Sequence, residues 1–206
     1  MNFQTFIIVI PIFAFSVLGI AIIIERFMFF SKNHIDFDKY RYSVINDTYN
    51  FKSTIINNAK TVFDVFLKEL FMLKTVSKQQ LNEFIDSRIS SIEMDYEKRI
   101  SYLGIFAKLS TLLGLFGTVI GMIFAFDQIV TKGISNASIV ASGIKTAMLT
   151  TAIGLAVAIP ATFFHDFFKN LIIKEKRKME IIISEVILQF SKNSKPNTER
   201  NNNENN

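Results

Sequence analysis

Three apolar blocks, each about as long as a bilayer crossing, interrupt an otherwise charged chain. The first, Phe6 to Ile24, contains no charged residue, and Glu25 and Arg26 end it abruptly. A hydrocarbon core of about 30 Å takes roughly 20 apolar helical residues to span. The second block runs from Leu103 to Phe126 and the third from Ala141 to Phe164. Half of the 206 residues are apolar, and their bunching rather than their share marks a membrane chain. Residues 1–5, MNFQT, hold no Lys or Arg, and no small-residue cleavage site follows, so the first block reads as a retained anchor rather than a removed signal.

Basic residues set the orientation. Of the 23 Lys and Arg, 12 lie between Arg26 and Arg99 and 8 follow Phe168, whereas the second connection holds only Lys132. The positive-inside rule then puts the N-terminus outside and both basic segments in the cytoplasm. This asymmetry accounts for most of the formal charge of +5, and acidic residues are interspersed, so nucleic-acid binding is not expected. With no cysteine there is neither a disulfide framework nor a thiol metal site.

The pattern predicts an all-α membrane protein with three transmembrane helices, the second and third extended into a cytoplasmic helical region. Its segments are a first span at 1–27, a cytoplasmic helical region at 28–102, a second span at 103–126, a short periplasmic loop at 127–140, a third span at 141–164, a cytoplasmic helix at 165–190 and a disordered tail at 191–206. In the cytoplasmic region Leu81, Phe84, Ile85, Ile89, Ile92, Tyr96, Ile100 and Leu103 recur every three or four residues, which predicts an amphipathic helix running unbroken into the second span. Asn57 to Leu73 shows a weaker version, and Asp36 to Phe51 reads as short helix or loop. A stripe from Phe164 through Ile172, Met179, Ile183 and Val186 carries the third helix beyond the bilayer. Two such amphipathic helices need each other, because a single stripe cannot bury itself. The polar, Asn-rich end has no means of packing.

Catalytic sets are absent. There is no P-loop, GxSxG or dinucleotide fingerprint, and His34 and His165 lack metal-ligand spacing, so no enzyme, metal or cofactor is expected. Small and hydroxylated residues stand out instead. Gly114, Gly117 and Gly121 punctuate the second span although each costs roughly 1 kcal/mol of helix propensity. Gly117 and Gly121 share a face, which predicts close backbone approach, expected between subunits. Ser110, Thr111 and Thr118 in that span, with Thr146, Thr150 and Thr151 in the third, place six hydroxyls where they either bond back to their own helices or line a wet path. Neither Leu112 to Phe126 nor Thr146 to Phe164 contains Asp or Glu. A hydroxyl alone cannot hold and release a proton near neutral pH, so an ion path here needs a carboxylate from another chain. Lys108 and Lys145 lie near span ends, where their stems snorkel to the interface. Pro160 removes a donor and is expected to free a carbonyl near Ala156.

The strings GLFGTVIGMIFAF and SGIKTAMLTTAIGLAVAIPA, with the IER turn at Ile24 to Arg26, resemble the MotA/TolQ/ExbB proton channel family, most nearly its ExbB and TolQ branches. The resemblance covers the three spans and their order. It implies an ion path past Thr118 and Thr151 and a structural role at the membrane boundary for Glu25 and Arg26; the residues themselves suggest helix packing through Gly114, Gly117, Gly121, Gly154 and Pro160, membrane-boundary positions for Lys108 and Lys145, and Thr111, Thr146 and Thr150 as further hydroxyls along the path. It also implies a homo-oligomer, a pentamer, in the bacterial inner membrane, enclosing an ExbD- or TolR-like partner whose transmembrane Asp carries the proton. A TonB- or TolA-like protein would receive the work. Many members have glutamate where this chain has Thr146, beside Lys145. A motility-type stator of the same family and a non-conducting scaffold are the alternatives.

Overall fold

The computed structural model describes residues 3–73, 77–132 and 137–193. Every regular element among them is an α-helix, in the order α1 Phe3–Lys32, α2 Phe37–Asn46, α3 Thr48–Asn58, α4 Val62–Met72, α5 Lys78–Glu97, α6 Ile100–Lys132 and α7 Ala137–Asn193. Three of these, α1, α6 and α7, are long and apolar enough to cross a membrane. Their outer faces carry side chains such as Phe13, 68% exposed, and Ile159, 65% exposed, which only lipid or a partner could cover without large cost. The chain is an all-α membrane protein.

The third long helix runs uninterrupted for 57 residues, as its stripe predicts. The second does not. Lys98 and Arg99 separate α5 from α6, and Arg99 has φ 66°, the left-handed conformation that ends a helix. The expectation of one unbroken helix through Tyr96 and Ile100 is therefore corrected: the apolar spacing continues across a backbone break. Helix also occupies much of the expected 127–140 loop, from α6 up to Lys132 and from α7 beginning at Ala137. Residues 133–136 and the tail 194–206 lie outside the described residues, but α7 extends to Asn193, into the stretch expected to be disordered.

The chain divides into two units. One consists of the described residues of Met1–Met28 and Glu97–Asn170. Here α1 buries Ile8 and Ile12, stacks Phe15 on Phe106 at 5.1 Å, and sets Phe27 against Phe168 at 5.4 Å. At its charged end Glu25 bonds Arg99 and Arg26, the latter buried, so the boundary pair is built into the unit.

The other unit consists of the described residues of Phe29–Tyr96 and Leu171–Asn206. The segment from Asp36 resolves into two helices because Asp47 caps both: its N–H bonds Ser43 O of α2, and its side chain accepts from Asn50 N of α3. Thr61 and Asp64 form a reciprocal capping box that starts α4. The α5 stripe, with Ile89, Ile92 and Tyr96, packs against Ile172 and Met179 of α7, and Lys176 bonds Glu93 at 2.6 Å. Glu175 is buried among donors, accepting from Ile35 N at 3.2 Å and Lys178 Nζ at 2.8 Å, while Tyr96 donates to Asn33 O at 3.0 Å. Burial, and then the charge of Glu175, raise the Tyr96 hydroxyl well above its ordinary pKa.

Candidate ion path

Small residues let α6 and α7 meet backbone to backbone along an antiparallel seam. A Cβ placed on Gly154 would lie 2.5 Å from Ser110 O and 3.0 Å from Gly114 Cα. One on Gly117 would lie 2.3 Å from Thr150 Oγ1, one on Gly121 2.7 Å from Ala147 Cβ, and one on Gly143 2.6 Å from Ala125 Cβ. Each step along α6 is matched by a step back along α7, with one small residue per turn on either side. At the opposite end of the seam from Gly143, the His165 ring lies against Gly104, its Nε2 3.1 Å from where a Cβ would be. The glycines thus key α6 to α7 of the same chain, and the expected use of this stripe between subunits is corrected: α7 already occupies that face.

The seam sorts the six hydroxyls. Thr150, 2% exposed, donates to Ala147 O at 2.7 Å and reaches Gly114 O at 3.5 Å. Thr151 donates across the seam to Gly114 O at 2.9 Å. Thr150 and Thr151 thus both reach the Gly114 carbonyl, which lies one turn before Thr118 on α6. Thr118 is half-buried and its hydroxyl bonds Leu115 O of its own helix at 2.6 Å. Thr111 bonds Ala107 O at 3.0 Å and Thr146 bonds Ser142 O at 2.9 Å, so these two, like Thr118, bond back to their own helices and not across the seam. Ser110, 0% exposed, has no protein hydrogen-bond partner for its hydroxyl.

The remaining sequence candidates lie off the seam. Lys108 and Lys145 are exposed. Pro160 is exposed too, whereas Ala158 and Ala161 are buried with Ala107. Among the described residues no group of three His, Cys, Asp or Glu is placed to hold a metal ion. Gly143, Ala147 and Ala125 were not singled out as candidates, although Ala125 four residues after Gly121, Ala147 three before Thr150 and Gly143 four before Ala147 were the available signal. The unbonded Ser110 hydroxyl had no sequence signal.

Residues 58–181 match the MotA/TolQ/ExbB proton channel family, and this is more than half of the chain. The chain belongs to that family. ExbB of Salmonella typhimurium is 31% identical over 115 residues, covering 56% of this chain and 47% of that protein. TolQ of Haemophilus influenzae is 30% identical over 118 residues, 54% of this chain and 52% of the relative. The match spans about half the length of both. A putative ExbB-like biopolymer transport protein of Synechocystis is 27% identical over 176 residues, 82% of this chain and 83% of that one. The structure of C. jejuni MotAB has the same fold, with TM-score 0.55 and 17% identity over 91% of this chain and 78% of the other. In this MotA/TolQ/ExbB family member the matched stretch contains Gly104 to Gly154, Thr118, Thr151 and His165, and it leaves out Glu25 and Arg26.

Proposed function

We propose that this family member is a stator subunit of a proton channel in the bacterial inner membrane, with its N-terminus periplasmic and its C-terminus cytoplasmic. It assembles as a homo-oligomeric ring, a pentamer, around a single-span ExbD- or TolR-like partner. Protons passing Thr118 and Thr151 drive rotation or force on a TonB- or TolA-like protein that spans the periplasm.

One observation carries the reading. Thr150 and Thr151 meet Gly114 O across the seam, one turn along α6 from Thr118, in two helices that have no Asp or Glu from Leu112 to Phe126 or from Thr146 to Phe164. Hydroxyls donate and accept and so relay protons, but they do not store them. A carboxylate brought beside them by another chain completes the site, which is the part the partner supplies. The lumen pH of native membrane vesicles, which carry the partner, is the test. Thr118→Ala with Thr151→Ala is expected to cut proton flux at least about tenfold, the loss of one to a few stabilising hydrogen bonds in the path. Undiminished flux in the double variant overturns the assignment.

A non-conducting scaffold is the second reading, favoured by the bonds that Thr111, Thr118 and Thr146 make back to their own helices. Under it the vesicles show no partner-dependent flux at all.

A further inference from the structure

The contact between α5 and α7 is tight at one end. Beside Ile89, Ile92, Tyr96, Ile172 and Met179 the two helices enclose only about 10 Å³, the close packing of an ordinary protein interior. Farther along α7 a cavity of about 340 Å³ is lined from α3, α4, α5 and α7, wholly within the second unit. Six apolar side chains form its wall: Leu70, Phe71 and Leu73 at the end of α4, Leu81 of α5, and Val186 and Ile187 of α7. Phe71 is set edge-on against Phe51 of α3 at 6.0 Å and Val186 is buried, so part of the wall is fixed. A cavity of this size falls within the range of small-molecule sites, roughly 300–1,000 Å³.

Lys52 is the one charged side chain among the described residues that line the cavity, and its Nζ stands 5.9 Å from the centre of the Phe71 ring. An ammonium carries three hydrogens and no acceptor, so what it adds to the site is a donor for an anion. The rest of the wall has no polar side-chain atom with which to read a base, a sugar or a peptide edge. The complement is an apolar body with one anionic end. Val186 follows Phe164, where the third apolar block ends, by about six turns, roughly 33 Å of helix, so a lipid anchored in the bilayer does not reach the cavity. Residues 194–206, SKPNTERNNNENN, contain no Ala, Val, Ile, Leu, Met, Phe, Tyr or Trp, so the end of the chain has nothing to bury there.

We propose that this cavity is a binding site for a free single-chain carboxylate of the fatty-acid type, its chain against Leu70, Leu73, Leu81 and Ile187 and its carboxylate on Lys52. The inference goes beyond the stator reading and does not depend on it. Burial of the chain supplies the driving force, and the ammonium selects the sign of the head group. A cation or an alcohol of equal chain length therefore binds less well.

The test is photolabelling of the full chain in lipid nanodiscs with dodecanoate carrying a diazirine at its far end, read by mass spectrometry of the digested protein. Labelling at 70–73 and 186–187 is expected, and excess dodecanoate should compete it away while dodecyltrimethylammonium and dodecanol do not. Lys52→Met should lower that labelling about tenfold, the worth of one charge-assisted hydrogen bond, and Lys52→Arg should restore most of it. Ile187→Trp, which fills the cavity, should abolish it. Labelling of the apolar spans by probe dissolved in the bilayer is the internal reference and should be the same in every variant. Cavity residues labelled no more than this reference overturn the inference, as when a second copy or a partner segment is seated there. Equal labelling in Lys52→Met, or equal competition by the cation, overturns it too. Circular dichroism of Ile187→Trp separates filling from unfolding, and if that variant does not fold the two Lys52 variants decide alone. Proton flux enters none of these readings, so their failure leaves the stator reading standing.

Discussion

Gly154 and Gly19 are both helical glycines in apolar surroundings, yet they should respond oppositely to a single methyl group. At Gly154 the new Cβ meets backbone, Ser110 O at 2.5 Å, and backbone cannot step aside without moving α6. Gly154→Ala should therefore destabilise the chain by about 1–3 kcal/mol, the usual cost of overpacking. At Gly19 the nearest atom is Leu103 Cδ2 at 3.8 Å, an ordinary contact, so Gly19→Ala should be neutral or gain up to about 1 kcal/mol of helix propensity. Thermal unfolding of the two variants in detergent, followed by circular dichroism, measures the contrast. The distinction was only half legible in the sequence. The spacing of Gly114, Gly117 and Gly121 defines a face, but a face does not name its partner, and the partner proved to be α7 of the same chain.

Elements were legible where periodicity and capping agreed. The stripe from Phe164 to Val186 predicted one long helix, and α7 is one. The stripe from Leu81 to Leu103 was as regular, yet the helix breaks at Arg99, because side-chain spacing registers which face is buried and not whether the backbone is continuous. In the weakly periodic segment from Asp36 to Phe51, Asp47 makes the difference, as a residue that caps on both sides. The same dependence on caps applies to α4. Thr61→Ala removes half of its capping box and should cost about 1 kcal/mol, visible as a lower unfolding midpoint. Tyr96→Phe leaves the Asn33 carbonyl without its buried donor and should cost about 1 kcal/mol at neutral pH. The raised Tyr96 pKa has a further consequence of definite sign: its stability contribution is whole below about pH 10 and is lost as pH rises beyond it, because the unfolded chain releases that proton first. The alkaline decline in stability should accordingly be shallower in Tyr96→Phe than in the parent.

At the scale of the whole molecule, the charge asymmetry makes a prediction that the absence of cysteine makes easy to check. Single cysteines introduced at exposed Ser138 and Glu83 should be labelled from opposite sides. A membrane-impermeant maleimide added to intact cells should modify Ser138→Cys and reach Glu83→Cys only after the membrane is opened, as the positive-inside rule requires. Labelling of Glu83→Cys but not Ser138→Cys in intact cells would reverse the proposed orientation. The missing carboxylate was legible from the sequence as an absence, from Leu112 to Phe126 and from Thr146 to Phe164.

The close keying of α6 to α7 also bears on how such a molecule could do work. Interlocked backbones slip only by whole steps, about 5.4 Å for a helical turn, and each step would drive Cα atoms through one another's space. The seam therefore behaves as a weld and not as a bearing, and the two helices travel as one rigid stave. On the stator reading proposed above, any proton-driven turning would have its sliding surface elsewhere, against the outward faces, where half-buried Thr118 stands at the edge of the weld.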